Sequence, residues 1–318
     1  VRALLIVNPN ATSTTPAGRD LLAHALSSRV QLTVTHTTHR GHAAELAQQA
    51  HVDGMGLIIV HGGDGTVNEV VNGLLGAPTP QSMRAVTVGP IPLIAVVPGG
   101  SANVFARSLG IAPDPVDATN QLIDLLAHRQ RRRIGLAHCD GRWFTFNAGV
   151  GWDAQVCEAV DAHRKHGRPA SPAQYVRAAV RIFFRSKNAE PTLTVRVPGH
   201  EPVEGVHYAF VSNSSPWTYL NTREVRTNPD ITYDTGLGVF AMKSTALVTT
   251  LRVVRQLLTP GTRPNSGKLV RVDDVPSVRI TASEPIGLQM DGDYIGLRKS
   301  VEFISVPDAL DVVAPPQP

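Results

Sequence analysis

The feature that most constrains this chain is a pair of glycine turns, each lying between an apolar run and a helical pattern. In Gly56-Leu-Ile-Ile-Val-His-Gly-Gly-Asp-Gly-Thr-Val-Asn-Glu-Val-Val-Asn-Gly73, the run Leu57 to Val60 predicts a buried strand. It ends in Gly62, Gly63, Asp64 and Gly65, and a helical pattern begins at Thr66, with Val67, Val70, Val71 and Leu74 on one side. Such a turn presents backbone N–H groups at a helix start, where the dipole adds partial positive charge; the place suits a phosphate. A purely structural account is also open. Thr66 and Glu69 have the spacing of a capping box, and the glycines allow a tight strand-to-helix turn. A second strand, Pro92 to Val97, leads into Pro98, Gly99, Gly100, Ser101, Ala102 and Asn103, then a short helix, Val104 to Leu109, closed by Gly110. Two βα units about thirty to forty residues apart are what one parallel sheet requires. Turns on adjacent strand ends would hold a polyphosphate between them.

The rest of the first half continues in this manner. Ala3 to Val7 predicts a first strand, followed by a polar turn from Asn8 to Ser13 and a helix from Pro16 to Ser28. Leu32 to Thr35 predicts another strand, His36 to His42 a loop, and Ala43 to Ala50 a helix; a further helix spans Val116 to Ala127. His36, His39 and His42 recur every third residue, but without cysteines or an H-E-x-x-H helix they read as a solvated loop. The basic run Arg129 to Arg133 is placed to offset the preceding helix dipole.

Near residue 135 the pattern changes to short alternating strands: Trp143 to Asn147, Leu193 to Val197, His207 to Ser212, Gly238 to Met242, Ser277 to Ala282 and Ser300 to Val306. The fold class expected is an α/β domain with a parallel sheet over residues 1–135, then a β-rich, sandwich-like domain over 136–318. The last segment is expected to pack back on the first domain. One helix, Pro172 to Ser186, interrupts the second half and sets Arg177, Arg181 and Arg185 on one face. It reads as an amphipathic helix with a solvated stripe or as an edge that meets anionic lipid. The formal charge of +4 is too small to argue for nucleic acid. Cys139 and Cys157 lack metal-ligand spacing and are expected as reduced thiols. No apolar run reaches spanning length, and the first residues do not form a signal peptide, so a cytoplasmic protein is expected.

The motifs GGDGT-x-NEV-x-NG, PGGSAN-x-FAR-x-LG and the late triplet Asp291-Gly292-Asp293 together resemble the diacylglycerol kinase catalytic family, in its soluble bacterial lipid kinase branch, related to sphingosine and ceramide kinases. The resemblance implies the fold of that family and of NAD kinases, with an active site in an interdomain cleft. It also implies ATP and Mg²⁺ as cofactors, a lipid alcohol such as diacylglycerol as substrate, and a peripheral, anionic membrane surface as partner; a homodimer stays open. It places nucleotide contacts at Asn8, Pro9, Asn10, Ala11 and Thr12, and at Thr37. Further contacts fall at Gly62, Gly63, Asp64, Gly65, Thr66, Val67, Asn68 and Glu69, and at Gly99, Gly100, Ser101 and Asn103. Asp293 is the implied proton acceptor, with Asp291 as its partner for substrate or metal and Asp153 on the lipid side. Asp64 repels phosphate, so it is expected to reach Mg²⁺ through water or to position the acceptor. Asn68, Asn103 and Ser101 offer neutral polar groups where phosphate oxygens would lie.

Several positions depart from the family pattern. Val104 follows Asn103 where many relatives have Asp, Gly135 stands where relatives carry Asp, and Thr235 replaces an Asp of an auxiliary metal site. Asp293 replaces the usual glutamate and is one methylene shorter. These departures leave a second account, a nucleotide-binding, membrane-associated regulator with little turnover. NAD kinase is a third, disfavoured by the PGGSAN element.

Overall fold

The computed structural model describes residues 1–78, 90–165, 190–220 and 222–317. They form two compact units: Val1–Ile134 with Gly141–Trp143 and Asp308–Pro318, and Gly135–Asp140 with Phe144–Pro307. The predicted basic helix with Arg177, Arg181 and Arg185 lies outside the described residues.

The first unit alternates strands and helices: β1 (Arg2–Val7), α1 (Pro16–Ser27), β2 (Gln31–His36), α2 (His42–Val52), β3 (Leu57–Gly62), α3 (Asp64–Leu75), β4 (Leu93–Pro98), α4 (Val104–Ser108) and α5 (Pro115–Ala127). Its strands are parallel in the order β2-β1-β3-β4, with Val7 paired to both His36 and His61, and Gly62 to Pro98. Every residue of β3 is buried, as in a central parallel strand covered on both faces. The far end of the chain adds to this sheet, since Val312 pairs in parallel with Ile94. Helix starts are capped in different ways. Thr15 accepts from the Gly18 amide before Pro16 of α1, and Asp114 accepts from Val116 and Asp117 at α5. Gly41, before α2, is left-handed and supplies no cap of its own.

The second unit is antiparallel. It contains β7 (Asn147–Val150), α6 (Trp152–Lys165), β8 (Leu193–Arg196), β9 (Val203–Val206), β10 (Tyr208–Ser212), β13 (Leu237–Met242), α7 (Leu247–Leu257), β14 (Leu269–Val275) and β15 (Ser277–Met290), with a separate hairpin of β11 (Thr218–Leu220) and β12 (Arg223–Val225). Strands β5 (Arg132–Cys139), β6 (Arg142–Phe144) and β16 (Asp293–Val312) carry the chain between the two units. The strand order is β14-β13-β10-β7-β15-β16, with β8 beside β15. Both faces of its centre are filled. Ala209, Val211, Val239 and Ala241 point into one core, while Tyr208, Phe210, Phe240 and Met242 point into another with Val253 of α7.

Some boundaries differ from the sequence expectations for local reasons. Helix α3 starts at Asp64 with Gly63 as its N-cap, so Thr66 and Glu69 lie inside it and do not form a capping box. The expected strand Trp143 to Asn147 is broken between β6 and β7, because the amides of Thr145 and Phe146 turn toward a buried carboxylate. The basic run does not prolong α5. Arg129 is left-handed, Arg132 bonds Gln317, and Arg133 bonds the Asp308 carbonyl beside Asp311. Helix α7, rich in β-branched residues, had no counterpart among the expected elements.

Helices α2 and α3 meet at Gly73, where an added Cβ would lie 2.2 Å from the Ala44 carbonyl oxygen. That contact is backbone against backbone and cannot be relieved by a rotamer. Gly73→Ala should therefore lower the unfolding free energy by about 1–3 kcal/mol, read as a lower urea midpoint at unchanged slope. An unchanged midpoint would show that the two helices do not approach this closely in solution.

Candidate functional site

All four parallel strands of the first unit end at one edge of the sheet. In the order β2-β1-β3-β4 the connections leave β1 in opposite directions, so the topological switch point lies between β1 and β3, where open α/β sheets bind ligands. Asn8 follows β1 there, and Gly63 follows β3. Thr37 lies at the end of β2, its amide donating to the Val7 carbonyl.

The glycines let the two turns touch. A Cβ on Gly100 would come 2.7 Å from Gly63 Cα, and one on Gly99 would come 3.1 Å from Gly62 Cα. The Gly99 amide donates to the Gly62 carbonyl at 2.9 Å, extending the β3–β4 pairing into the turns. The loop after β1 is tied to both. Asn8 Nδ2 donates to Thr66 Oγ1 at 3.1 Å, and the Ser13 amide donates to the Gly99 carbonyl at 2.8 Å. Asn8 also accepts from the Asn10 amide through Oδ1, while its carbonyl accepts from Ala11, which shapes residues 8–11 as a turn; Pro9 lies within it and is exposed. The loops of Asn8 to Thr14, Gly62 to Thr66 and Gly99 to Asn103 are thus one connected platform.

Several side chains expected at the nucleotide site are engaged within the protein. Asp64 accepts from the Val104 and Phe105 amides, both at 3.0 Å, so its carboxylate caps α4 across the two turns. Asn103 is left-handed; its amide group accepts from Gly100 N–H at 2.8 Å and donates to the Gly100 carbonyl at 2.7 Å, closing its own loop. Asn68 is buried, donating to the Trp143 carbonyl and accepting from Arg142 at 2.7 Å. Glu69 accepts from the Gly41 and Ala43 amides, supplying the cap that α2 lacks. Val67 is buried in the core. These five side chains build the platform.

What remains is a set of donors. Among the described residues the amides of Gly63, Gly65 and Ser101 have no protein acceptor, and Asn10, Thr12, Gly65 and Ser101 are exposed. A Cβ on Gly65 would meet nothing within 4 Å. Arg19, in the first turns of α1, was not anticipated from sequence. Its Nε is buried without an acceptor, and its charge is felt by His61. Burial holds the His61 imidazole below its ordinary pKa, against a hydrogen bond to the Val97 carbonyl that pulls it up; Arg19 adds to the depression. Its other ring nitrogen meets Thr14 Oγ1 at 3.3 Å. The histidines suggested by the His36-His39-His42 spacing do something simpler: His39 and His42 stack at 4.8 Å, both bonded to Thr38 Oγ1.

The second unit places the late triplet in a hairpin. Asp291 and Gly292 both have positive φ and form the two-residue turn between β15 and β16, with Met290 paired to Asp293. The Asp291 carboxylate is buried and takes four donors. Oδ2 accepts from Thr145 N at 2.6 Å and Thr145 Oγ1 at 2.8 Å, and Oδ1 from Phe146 N at 3.0 Å and Asn147 N at 3.2 Å. Burial pushes this carboxyl up, and the four donors pull it back. The Asp291 oxygens, expected to serve substrate or metal, thus hold residues 145–147 in place. Asp293 is half-buried at the start of β16. Asp153 is the second residue of α6, and its side chain lies outside the described residues.

A parallel sheet whose glycine turns flank a switch point is an α/β arrangement suited to a phosphate. The comparisons add to this: residues 2–138 match the family model of the diacylglycerol kinase catalytic domain, the family that the motifs resemble. The whole chain is 28% identical to a diacylglycerol kinase of Bacillus subtilis, over 99% of this chain and 96% of that protein. It is 25% identical to a Stenotrophomonas maltophilia protein named "Probable lipid kinase YegS-like", over 88% and 86% of the two chains. A crystal structure of a diacylglycerol kinase from Bacillus anthracis shares the fold, with a TM-score of 0.72 at 20% identity over 99% of this chain and 97% of that one.

Two outcomes follow from this geometry. Gly65→Ala should leave thermal stability unchanged or slightly higher, yet weaken nucleotide binding about tenfold or more, because its methyl enters the open side of the turn. Gly63→Ala, set 3.2 Å from Gly100 Cα, should lower stability by about 1–3 kcal/mol. Calorimetry with titrated nucleotide separates the two, and equal effects on both properties would refute the assignment. The second outcome concerns His61. Its folded pKa lies below the unfolded value of 6.5, so the unfolded chain takes up the proton first. Its contribution to stability is full above that value and is lost as pH falls below it. A His61→Gln variant should show a flatter stability profile between about pH 7 and pH 5 in urea titrations.

Proposed function

We propose that the protein is an ATP-dependent lipid kinase, transferring the terminal phosphate of ATP to the hydroxyl of diacylglycerol or a similar lipid alcohol. The observation that carries this reading is the backbone contact of two glycine turns at the switch point of a diacylglycerol kinase catalytic domain. The donor set fits a polyphosphate: backbone amides of Gly63, Gly65 and Ser101, the hydroxyls of Thr12 and Ser101, and the guanidinium of Arg19. The names of the relatives from Bacillus subtilis and Stenotrophomonas maltophilia support the lipid.

Phosphoryl transfer depends on positioning and charge stabilisation more than on covalent chemistry by the protein. The platform binds and orients the phosphate chain, and Arg19 offsets its charge. Asp293 is the residue we assign to accept the proton of the lipid hydroxyl. Mg²⁺, brought with the nucleotide, would neutralise phosphate oxygens. The Asp291 and Asp64 oxygens already accept from backbone amides, which leaves them poorly placed to hold the ion directly.

A regulator with little turnover is the second reading, favoured by Gly135. A Cβ there would lie 2.8 Å from the Tyr233 carbonyl, so the carboxylate that the family places at this position has no room. The deciding experiment offers radiolabelled ATP with a mixed lipid extract, and separately with NAD. Phosphorylated lipid, identified by mass spectrometry, is the expected product. Asp293→Asn should lower kcat by about 10²–10⁴ with nucleotide affinity retained, and Arg19→Ala should weaken nucleotide affinity. Nucleotide binding without any phosphorylated lipid would favour the regulator; labelled NAD would overturn both.

A further inference from the structure

Helix α7 is amphipathic twice over. Thr250 and Val253 are buried, and Val253 packs with Tyr208, Phe210, Phe240 and Met242. A second apolar face points outward: Leu247, Val248, Leu251 and Val254 are exposed, at 50%, 81%, 58% and 40%. Leu247, Leu251 and Val254 fall at i, i+4 and i+7, and therefore lie on one side of the helix. Eleven large apolar side chains are exposed among the described residues, and four of them lie on this one helix. Single exposed leucines need no account, but a contiguous row does.

The segment that carries this row holds charge of one sign. From Lys243 to Lys268 the sequence holds Lys243, Arg252, Arg255, Arg263 and Lys268 and no acidic residue. Arg252 and Arg255 are exposed on α7 itself, interleaved with the outward apolar positions. Lys243 and Lys268 are brought side by side, the Lys243 amide donating to the Lys268 carbonyl at 2.8 Å where β13 and β14 lead away from the helix. Of the five, Arg263 is engaged by Asp230, in a two-pronged contact at 2.5 and 2.8 Å. An aliphatic row flanked by arginines has the composition of a helix lying in the plane of an anionic interface. Its leucines enter the acyl boundary while the guanidinium groups stay at phosphate level.

We propose that α7 is the membrane-docking element of this protein, and that its occupant is an anionic phospholipid bilayer. A second copy of the chain would also cover apolar surface, but symmetry would set the exposed Arg252 and Arg255 of one helix against those of the other. The inference gives a lipid-directed enzyme its surface of approach, yet it does not require that the kinase reading be correct, because binding is measured without nucleotide.

The test is flotation of the full chain with phosphatidylglycerol–phosphatidylcholine vesicles and with pure phosphatidylcholine vesicles, across a salt series. Wild-type protein should float with the anionic vesicles and lose binding as salt rises. Leu251→Glu should weaken partition about tenfold or more, and the pair Arg252→Gln and Arg255→Gln about thirtyfold, with a shallower salt dependence. Val116→Glu, at an exposed apolar position on α5, is the control and should float as wild type. Light scattering on each variant reports oligomeric state. Unaltered flotation of both α7 variants would overturn the proposal, as would absence of wild-type binding. So would a dimer that Leu251→Glu converts to monomer without loss of vesicle binding.

Discussion

The first unit depends on a contact that only glycine permits. Where β3 and β4 end, Gly62 and Gly63 lie against Gly99 and Gly100 at distances that leave no space for a side chain. Two consequences follow from that approach. It brings the starts of α3 and α4 close enough for Asp64, at the head of one, to cap the amides of the other. It also forms a floor to which the β1 loop is fastened through Asn8 and Ser13. The amides left over on this floor are those of Gly63, Gly65 and Ser101, while Asp64, Asn68, Asn103 and Glu69 are engaged by the protein.

Acidic residues in this protein repeatedly serve backbone amides. Asp64 caps α4, Glu69 caps α2, Asp114 caps α5, and Asp291 gathers four donors from residues 145–147. Each is a carboxylate accepting charge-assisted bonds, and such bonds are stronger than neutral ones. Asp64 and Asp291, which stand out in the sequence, both spend their charge on backbone amides. Only the partners, forty or more residues away in both cases, reveal the role, and nothing in local spacing announces them.

The same distinction marks how far the sequence could be read. Apolar runs followed by glycine and a helical period made β1, β3 and β4 and their helices legible, because these elements are buried strands and one-faced helices whose pattern is local. The order β2-β1-β3-β4 places their loops at one edge, which makes Asn8 to Thr12, Thr37 and the two turns neighbours. Arg19 was not legible, since it lies on α1 and its neighbour His61 on β3, far apart in sequence. Helix α7 was hidden by its composition: Val248, Thr249, Thr250, Val253 and Val254 favour strands intrinsically, and only the packing of Val253 on an aromatic layer establishes the helix.

The departures from the family pattern are fewer than a count of positions suggests. Val104 contributes its amide to Asp64, so its side chain can change without disturbing the cap. Gly135 and Thr235, by contrast, belong to one local structure. The Gly135 amide donates to the Tyr233 carbonyl at 2.8 Å, and the Thr235 hydroxyl donates to the Thr232 carbonyl at 2.9 Å, closing the turn that presents Tyr233. Asn213 then joins the Gly135 carbonyl to that of Thr145, the residue held by Asp291. An aspartate at 135 would have to displace the Tyr233 carbonyl, and moving that carbonyl would open the turn stitched by Thr235. At 135, therefore, a tight backbone contact stands where the family pattern has charge, and it adjoins the turn that Thr235 closes.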